Sequence, residues 1–166
     1  MDTSAPASTC DPSATVVPQT EGPYYTPGAP ARADVTDADT VGTPLVLTGV
    51  VYDASCTPIA GARLDFWQAD GAGSYDNSGF GLRGYQLTDA EGRYTLTTVI
   101  PGQYPGRTEH IHVKVTAPDE PTITTQLYFP GAPGNGQDRI YVASMEVTIL
   151  SESADGMAAS YDMVLP

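Results

Sequence analysis

From residue 45 onward the chain is divided into short runs in which β-branched and aromatic side chains alternate with polar ones, each closed by Gly, Pro or Asp. A period of two is the signature of a strand with one buried face, and no segment shows the i, i+3, i+4 recurrence of a long amphipathic helix. The runs fall at 45–52, 62–67, 84–88, 93–99, 110–116, 124–129, 145–150 and 161–165. Between the third and fourth, Asp89-Ala90-Glu91-Gly92 reads as a tight hairpin connection, with Gly92 where positive φ is wanted. Upstream, Pro6, Pro12, Pro18, Pro23, Pro27 and Pro30 recur too often for helix or central strand. Residues 10–43 therefore read as a coil-like N-terminal arm and 1–9 as a frayed end. An arm of that length is tolerated when it wraps the body or lines a site. The Gly-rich stretches at 70–83 and 131–139 read as longer loops suited to the rim of a site. The expected fold is all-β, a two-sheet β-sandwich, mixed or antiparallel, with residues 1–166 forming a single domain.

Charge narrows the partners. Seven Lys and Arg stand against twenty Asp and Glu, a formal net charge of −13, and Lys114 is the only lysine. Nucleic acid and anionic membrane surfaces are therefore not expected partners. No run approaches the roughly 18 apolar residues of a membrane-spanning helix. The first residues lack the basic and apolar segments of a secretory leader. Scarcity of lysine and abundance of Ser, Thr, Ala, Gly and Pro nevertheless favour a protein secreted after leader removal, a cytoplasmic one being the alternative. Cys10 and Cys56 lie 46 residues apart. Bridged, they would tie the arm to the first strand region and stabilise by about 4 kcal/mol. Unbridged, they are two thiols of a reducing compartment.

The chain's two histidines are His110 and His112. In a strand, i and i+2 share a face with Cα atoms roughly 6.5 Å apart, close enough for two imidazoles to hold one metal ion. Ile111, Val113 and Val115 take the opposite, core face, which leaves Lys114 and Thr116 beside the imidazoles. By itself, His-x-His also fits a solvent-facing pair on a sheet surface. Arg107, on the turn leading into the strand, carries a permanent charge able to stabilise an anionic oxygen. Tyr104, on the same turn, is a phenol that a highly charged cation would convert into a hard anionic ligand. Imidazole nitrogen with phenolate oxygen suits a hard trivalent ion such as Fe(III) better than Zn(II).

With these residues in view, the chain resembles the intradiol aromatic-ring-cleaving dioxygenases, the group of catechol 1,2-dioxygenase and protocatechuate 3,4-dioxygenase. The matching elements are collinear from about Thr20 to the end. They include Thr20-Glu21-Gly22-Pro23-Tyr24-Tyr25, Phe66-Trp67-Gln68-Ala69-Asp70 with Gly73-Ser74-Tyr75, Arg83-Gly84-Tyr85, Pro101-Gly102-Gln103-Tyr104-Pro105, and the stretch from Arg107 to His112. The resemblance implies a mononuclear non-haem Fe(III) seated between the sheets, with Tyr75, Tyr104, His110 and His112 as ligands and Tyr104 the one displaced by substrate. It also implies that Arg107 and Gln126 act on the activated ring, and that Thr20, Pro23 and Tyr24 line the substrate pocket. Trp67 is expected in the core. The implied reaction takes a catechol-type substrate and O2, cleaves the ring between the hydroxyl-bearing carbons, and gives a cis,cis-muconate-type diacid without an organic cofactor.

The resemblance has departures. Nothing corresponds to the helical dimerisation region of catechol 1,2-dioxygenases, and Gly106 stands where protocatechuate enzymes place a bulky aromatic, which implies a more open pocket accepting bulkier catechols. Further modules in a longer precursor are compatible with the sequence. Pro58-Ile59-Ala60-Gly61-Ala62 and Thr88-Asp89-Ala90-Glu91-Gly92-Arg93-Tyr94 also resemble prealbumin-like or carboxypeptidase-regulatory-like sandwich modules, which are not catalytic. That alternative matches the fold but leaves His110, His112, Arg107 and Tyr75 without a task. A His-x-His zinc hydrolase or lyase would need a third ligand that no motif spacing supplies.

Overall fold

The computed structural model describes residues 10–166, so the frayed end expected at 1–9 lies outside the described residues. The strands are β1 (Pro44–Tyr52), β2 (Arg63–Gln68), β3 (Arg83–Leu87), β4 (Arg93–Val99), β5 (His110–Thr116), β6 (Ile123–Tyr128), β7 (Thr148–Ser153), β8 (Gly156–Ser160) and β9 (Met163–Val164). They form two sheets. One is mixed, in the order β4-β1-β8-β7, with β9 also pairing on β1; the other has four antiparallel strands in the order β3-β2-β5-β6. Among the described residues, helix is limited to two single 3-10 turns, Asn135–Gln137 and Ala143–Met145.

Strand alternation builds the core between the sheets. Leu45 and Leu47 of β1 and Leu96 of β4 face Leu64 and Phe66 of β2, Ile111, Val113 and Val115 of β5, and Leu127 of β6, all at most 1% exposed. Burying each such side chain is worth about 1.5–3 kcal/mol, and this term drives the two sheets together. The β3–β4 connection turns at Gly92, whose φ of +75° suits a residue without a Cβ.

Two details differ from the sequence expectation. The run at 145–150 begins as a 3-10 turn and becomes strand only at Thr148, and the run at 161–165 shortens to β9. The missing length is made up by β8, Gly-Met-Ala-Ala-Ser, which has little intrinsic strand propensity. It forms because β1 and β7 flank it and because Met157 and Ala159 are buried.

The arm is tied down along its length. Cys10 is joined to Cys56 by a disulfide with Cα atoms 5.8 Å apart, over a small cluster of Val50, Tyr52 and Val164. Val16 N–H donates to Val164 O (2.9 Å) and Gln19 N–H to Thr124 O of β6 (2.8 Å). The chain then crosses to the opposite edge, where Ala31 bridges Tyr85 of β3, and Asp34 finally bridges Thr97 of β4. One strap thus covers the outer face of the four-stranded sheet and pairs with both of its edges.

Candidate metal centre

Register decides which side chains meet under the strap. Trp67 stands opposite Arg83 on one side and His112 on the other, and His112 opposite Gln126. Residues directly opposite share a face, so these four form one row across the sheet. The neighbouring row is Tyr85, Asp65, Lys114 and Thr124, and His110 stands opposite Tyr128. This face points away from Ile111, Val113 and Val115, so the candidate centre does not lie between the sheets, as the resemblance implied. The reason is the pleat: residues on either side of an inward valine must point outward. Trp67 is fully buried, as expected, and on this outer face its indole stacks on the His112 ring at 4.7 Å with planes 6° apart.

The two imidazoles converge. His110 Nε2 lies 3.0 Å from His112 Nε2, and the Tyr75 hydroxyl lies 3.3 Å from the first and 3.2 Å from the second. His110 Nδ1 is 2.7 Å from the carbonyl oxygen of Thr108, an acceptor only, so Nδ1 carries the proton and Nε2 is left as a lone pair. Burial, with Arg107 adding to it, lowers the His110 pKa to about 4. Burial and then the neighbouring His110 push His112 well below its ordinary value. Both rings are therefore neutral donors near pH 7. Burial drives the Tyr75 phenol up to about 12, against the pull of Arg107 and Arg83, so without a cation it keeps its proton.

Tyr75 sits on the loop between β2 and β3, which its own carboxylates stiffen. Asp70 accepts the N–H groups of Ala72 and Ser74, and Asp76 those of Ser78, Gly79 and Gly81. Arg83 Nε donates to the carbonyl of Asp76 (3.0 Å), fixing the loop directly after Tyr75.

Arg107 is held from three sides. Its Nε donates to Asp138 Oδ2 at 2.9 Å, its Nη2 donates to Gln126 Oε1, and its Nη1 lies 3.5 Å from His110 Nε2. Burial opposes ionisation of Asp138, but hydrogen bonds from Ile140 N–H, Thr108 N–H and Arg107 outweigh it and hold its pKa below the ordinary value. Gln126 Nε2 donates to Thr20 O, which brings the arm against this group.

Tyr104 is close but turned aside. The Tyr24 hydroxyl donates to that of Tyr104 at 2.5 Å, while the Tyr24 ring stacks on Tyr75 at 4.4 Å and the Tyr104 ring meets Tyr75 edge-on at 6.3 Å. The hydrogen bonds of the described residues link the Tyr104 hydroxyl to Tyr24 and to neither imidazole. Pro23 lies beside Tyr24 on the same segment.

Sequence reasoning did not identify Asp138, Arg83, or Trp67 as site residues. Asp138 lies in a stretch read as rim loop, but no spacing links it to Arg107. The pairing of Trp67 with His112 depends on strand register, which a single sequence does not display.

Whether these residues fit a metal can be judged from donor spacing. Atoms bound at about 2.1 Å on adjacent corners of an octahedron or tetrahedron lie roughly 3.0–3.4 Å apart. The Tyr75, His110 and His112 triangle, with edges of 3.0, 3.2 and 3.3 Å, matches that spacing. Nitrogen plus phenol oxygen, without thiolate, is a donor set for a hard ion. His112 Nδ1 is buried without a hydrogen-bond partner, as are Trp67 Nε1 and both Nη atoms of Arg83. Such orphans are rare in structural cores, and here all four belong to the row that carries His112.

The chain as a whole is similar to known proteins. The family model described as Dioxygenase matches residues 20–166. Catechol 1,2-dioxygenase of Candida albicans is 29% identical, over 81% of this chain and 54% of its own length. Catechol 1,2-dioxygenase 2 of Acinetobacter lwoffii is 34% identical, over 68% and 50%. The chain thus spans about half the length of these curated relatives. Among solved structures, the dioxygenase domain of a dioxygenase carbohydrate-binding protein fusion from Streptomyces sp. SirexAA-E superposes with a TM-score of 0.87 at 45% identity, covering 91% of this chain and 97% of that one. For 3-chlorocatechol 1,2-dioxygenase of Rhodococcus opacus 1CP the TM-score is 0.80 at 28% identity, covering 87% and 69%. A sandwich that turns two imidazoles and a phenol toward one point, and that aligns from the arm to the last strand with such proteins, belongs to the intradiol ring-cleavage dioxygenase family.

Proposed function

We propose that the chain cleaves the aromatic ring of catechol-type diols between the two hydroxyl-bearing carbons, adding both atoms of O2 to give an open diacid, at a mononuclear Fe(III) held by Tyr75, Tyr104, His110 and His112. The observation that carries this reading is the convergence of Tyr75 Oη, His110 Nε2 and His112 Nε2 within 3.3 Å of one another. Bound ferric iron supplies Lewis acidity toward the diol oxygens.

The remaining work falls to the chain. Asp138 and Gln126 hold the Arg107 guanidinium beside His110, where it faces charge that develops on the ring. Tyr104 Oη, bonded to Tyr24, has a resting place off the triangle; as the phenolate that a bound metal would hold, it would take one proton from the incoming diol. Thr20, Pro23 and Tyr24 bring the arm over the ring and keep bulk water from it. The Cys10–Cys56 disulfide supports an oxidising compartment, and so export, as the place of action.

The test is iron-loaded protein. A red-brown colour from phenolate-to-iron charge transfer, about one iron per chain, and oxygen uptake with catechol are expected. Iron-replete, folded protein that is colourless and consumes no oxygen with any catechol would overturn the reading.

A further inference from the structure

Tyr104 and Arg107 leave the two ends of one tight turn. Arg107 N–H donates to Tyr104 O at 2.8 Å, and the intervening Pro105-Gly106 pair, with Gly106 at φ +81°, has the residue order and geometry of a type II turn. Beside this turn lies a cavity of about 360 Å³, bordered by Gln103, Tyr104, Gly106, Arg107, Gly134 and Gln137. That size is at the lower end of ligand pockets, roughly 300–1,000 Å³. A Cβ built on Gly106 would meet nothing within 4 Å, so the turn leaves the space open.

The lining is as apolar as it is polar, Pro105 included, and its one cation is already paired. Arg107 is its one ionic side chain, and its nitrogens are engaged by Asp138 and Gln126 and lie against His110. The side-chain amides of Gln103 and Gln137, both on exposed residues, by contrast make no hydrogen bond to the described residues. The net charge of −13 adds a general penalty for an anionic ligand.

We infer that this cavity is a subsite for a neutral, hydrogen-bonding substituent on the ring carbon farthest from the diol, so that the substrate class is 4-substituted catechols bearing an alcohol, ether or amide rather than a carboxylate. The inference rests on the ring-cleavage reading, because the diol end must be seated at the His110, His112 and Tyr75 triangle for the far edge to reach the Tyr104–Arg107 turn. Gln103 and Gln137 then supply the donors and acceptors that the substituent meets. An anionic substituent would lose its water without gaining a cation.

The test compares catechol, 4-(2-hydroxyethyl)catechol and 3,4-dihydroxybenzoate as substrates of the iron-loaded chain. Steady-state kcat/KM is paired with anaerobic titration of the visible absorption band to give Kd. Wild type is expected to bind and turn over the hydroxyethyl compound about ten-fold or more better than the carboxylate. Gln137→Trp, which fills the mouth of the cavity, is expected to lower the hydroxyethyl-to-catechol ratio about ten-fold, and Gln137→Arg to raise the carboxylate-to-hydroxyethyl ratio by a similar factor. If Gln137→Trp does not fold, the Gln137→Arg ratio and the wild-type ranking carry the test. Catechol turnover with no preference between the two substituted rings, or with ratios unmoved by both variants, overturns the subsite while leaving ring cleavage standing. An iron-loaded chain that turns over none of the three diols overturns the ring-cleavage reading itself, and the subsite with it.

Discussion

At their centres both faces of the four-stranded sheet are buried, yet for different reasons. On the inner face Leu64, Phe66, Ile111, Val113 and Val115 meet the other sheet, with at most 1% exposure. On the outer face Asp65, Trp67, His110 and His112, at 1–5% exposure, are covered by the arm and two loops. The inner face is closed by apolar contact and carries no chemistry. The outer face trades that contact for hydrogen bonds and leaves four buried polar atoms unpartnered along the row of Arg83, Trp67 and His112. A single strand, β5, thus contributes its odd positions to stability and its even positions to the site.

That division can be broken most sharply at the ligands. His112→Ala and Tyr75→Phe are expected to weaken iron retention by at least about 100-fold while leaving the fold intact, read by metal analysis and circular dichroism. Wild-type iron content in both variants would remove them as ligands. Cutting the disulfide in Cys10→Ser is expected to cost about 4 kcal/mol of unfolding free energy in denaturant titration, with iron still bound by the folded fraction. On the inner face Leu47→Ala is expected to cost about 2–5 kcal/mol, with specific activity per folded, iron-loaded molecule unchanged. A marked fall in that specific activity would show that the two faces are not separable.

The smallest effect concerns acid. Because the folded state holds the Asp138 pKa below its ordinary value of about 3.9, this carboxylate adds stability above that value and loses it as pH falls through the folded pKa. Stability is therefore expected to decline below about pH 4, and Asp138→Asn to flatten that decline in thermal melts across pH.

The readable parts of the molecule were those set by local rules. The strand period placed β1 to β6 within two residues of their observed bounds, and it assigned the imidazoles to the face opposite Ile111, Val113 and Val115. What escaped was set by distant pairing. β8 has poor strand propensity and exists because β1 and β7 hold it. Trp67 reads as core by its size, and only its register against His112 brings it to the site. Asp138 becomes the partner of Arg107 because a loop 31 residues downstream folds back, and no spacing announces that. Tyr75 and Gln126 were reached through family resemblance, since a lone tyrosine or glutamine carries no signal of its own.

The arm has a consequence for how such a protein can change. The same stretch roofs the candidate centre and seals the margins of the sheet beneath it, so a substitution that reshapes the site from above also endangers solubility. In the Tyr104–Arg107 turn, by contrast, the two central residues, Pro105 and Gly106, are exposed and bonded to nothing in the arm. Descendants of this chain are therefore freer to change at Pro105 and Gly106 than along the far longer roof.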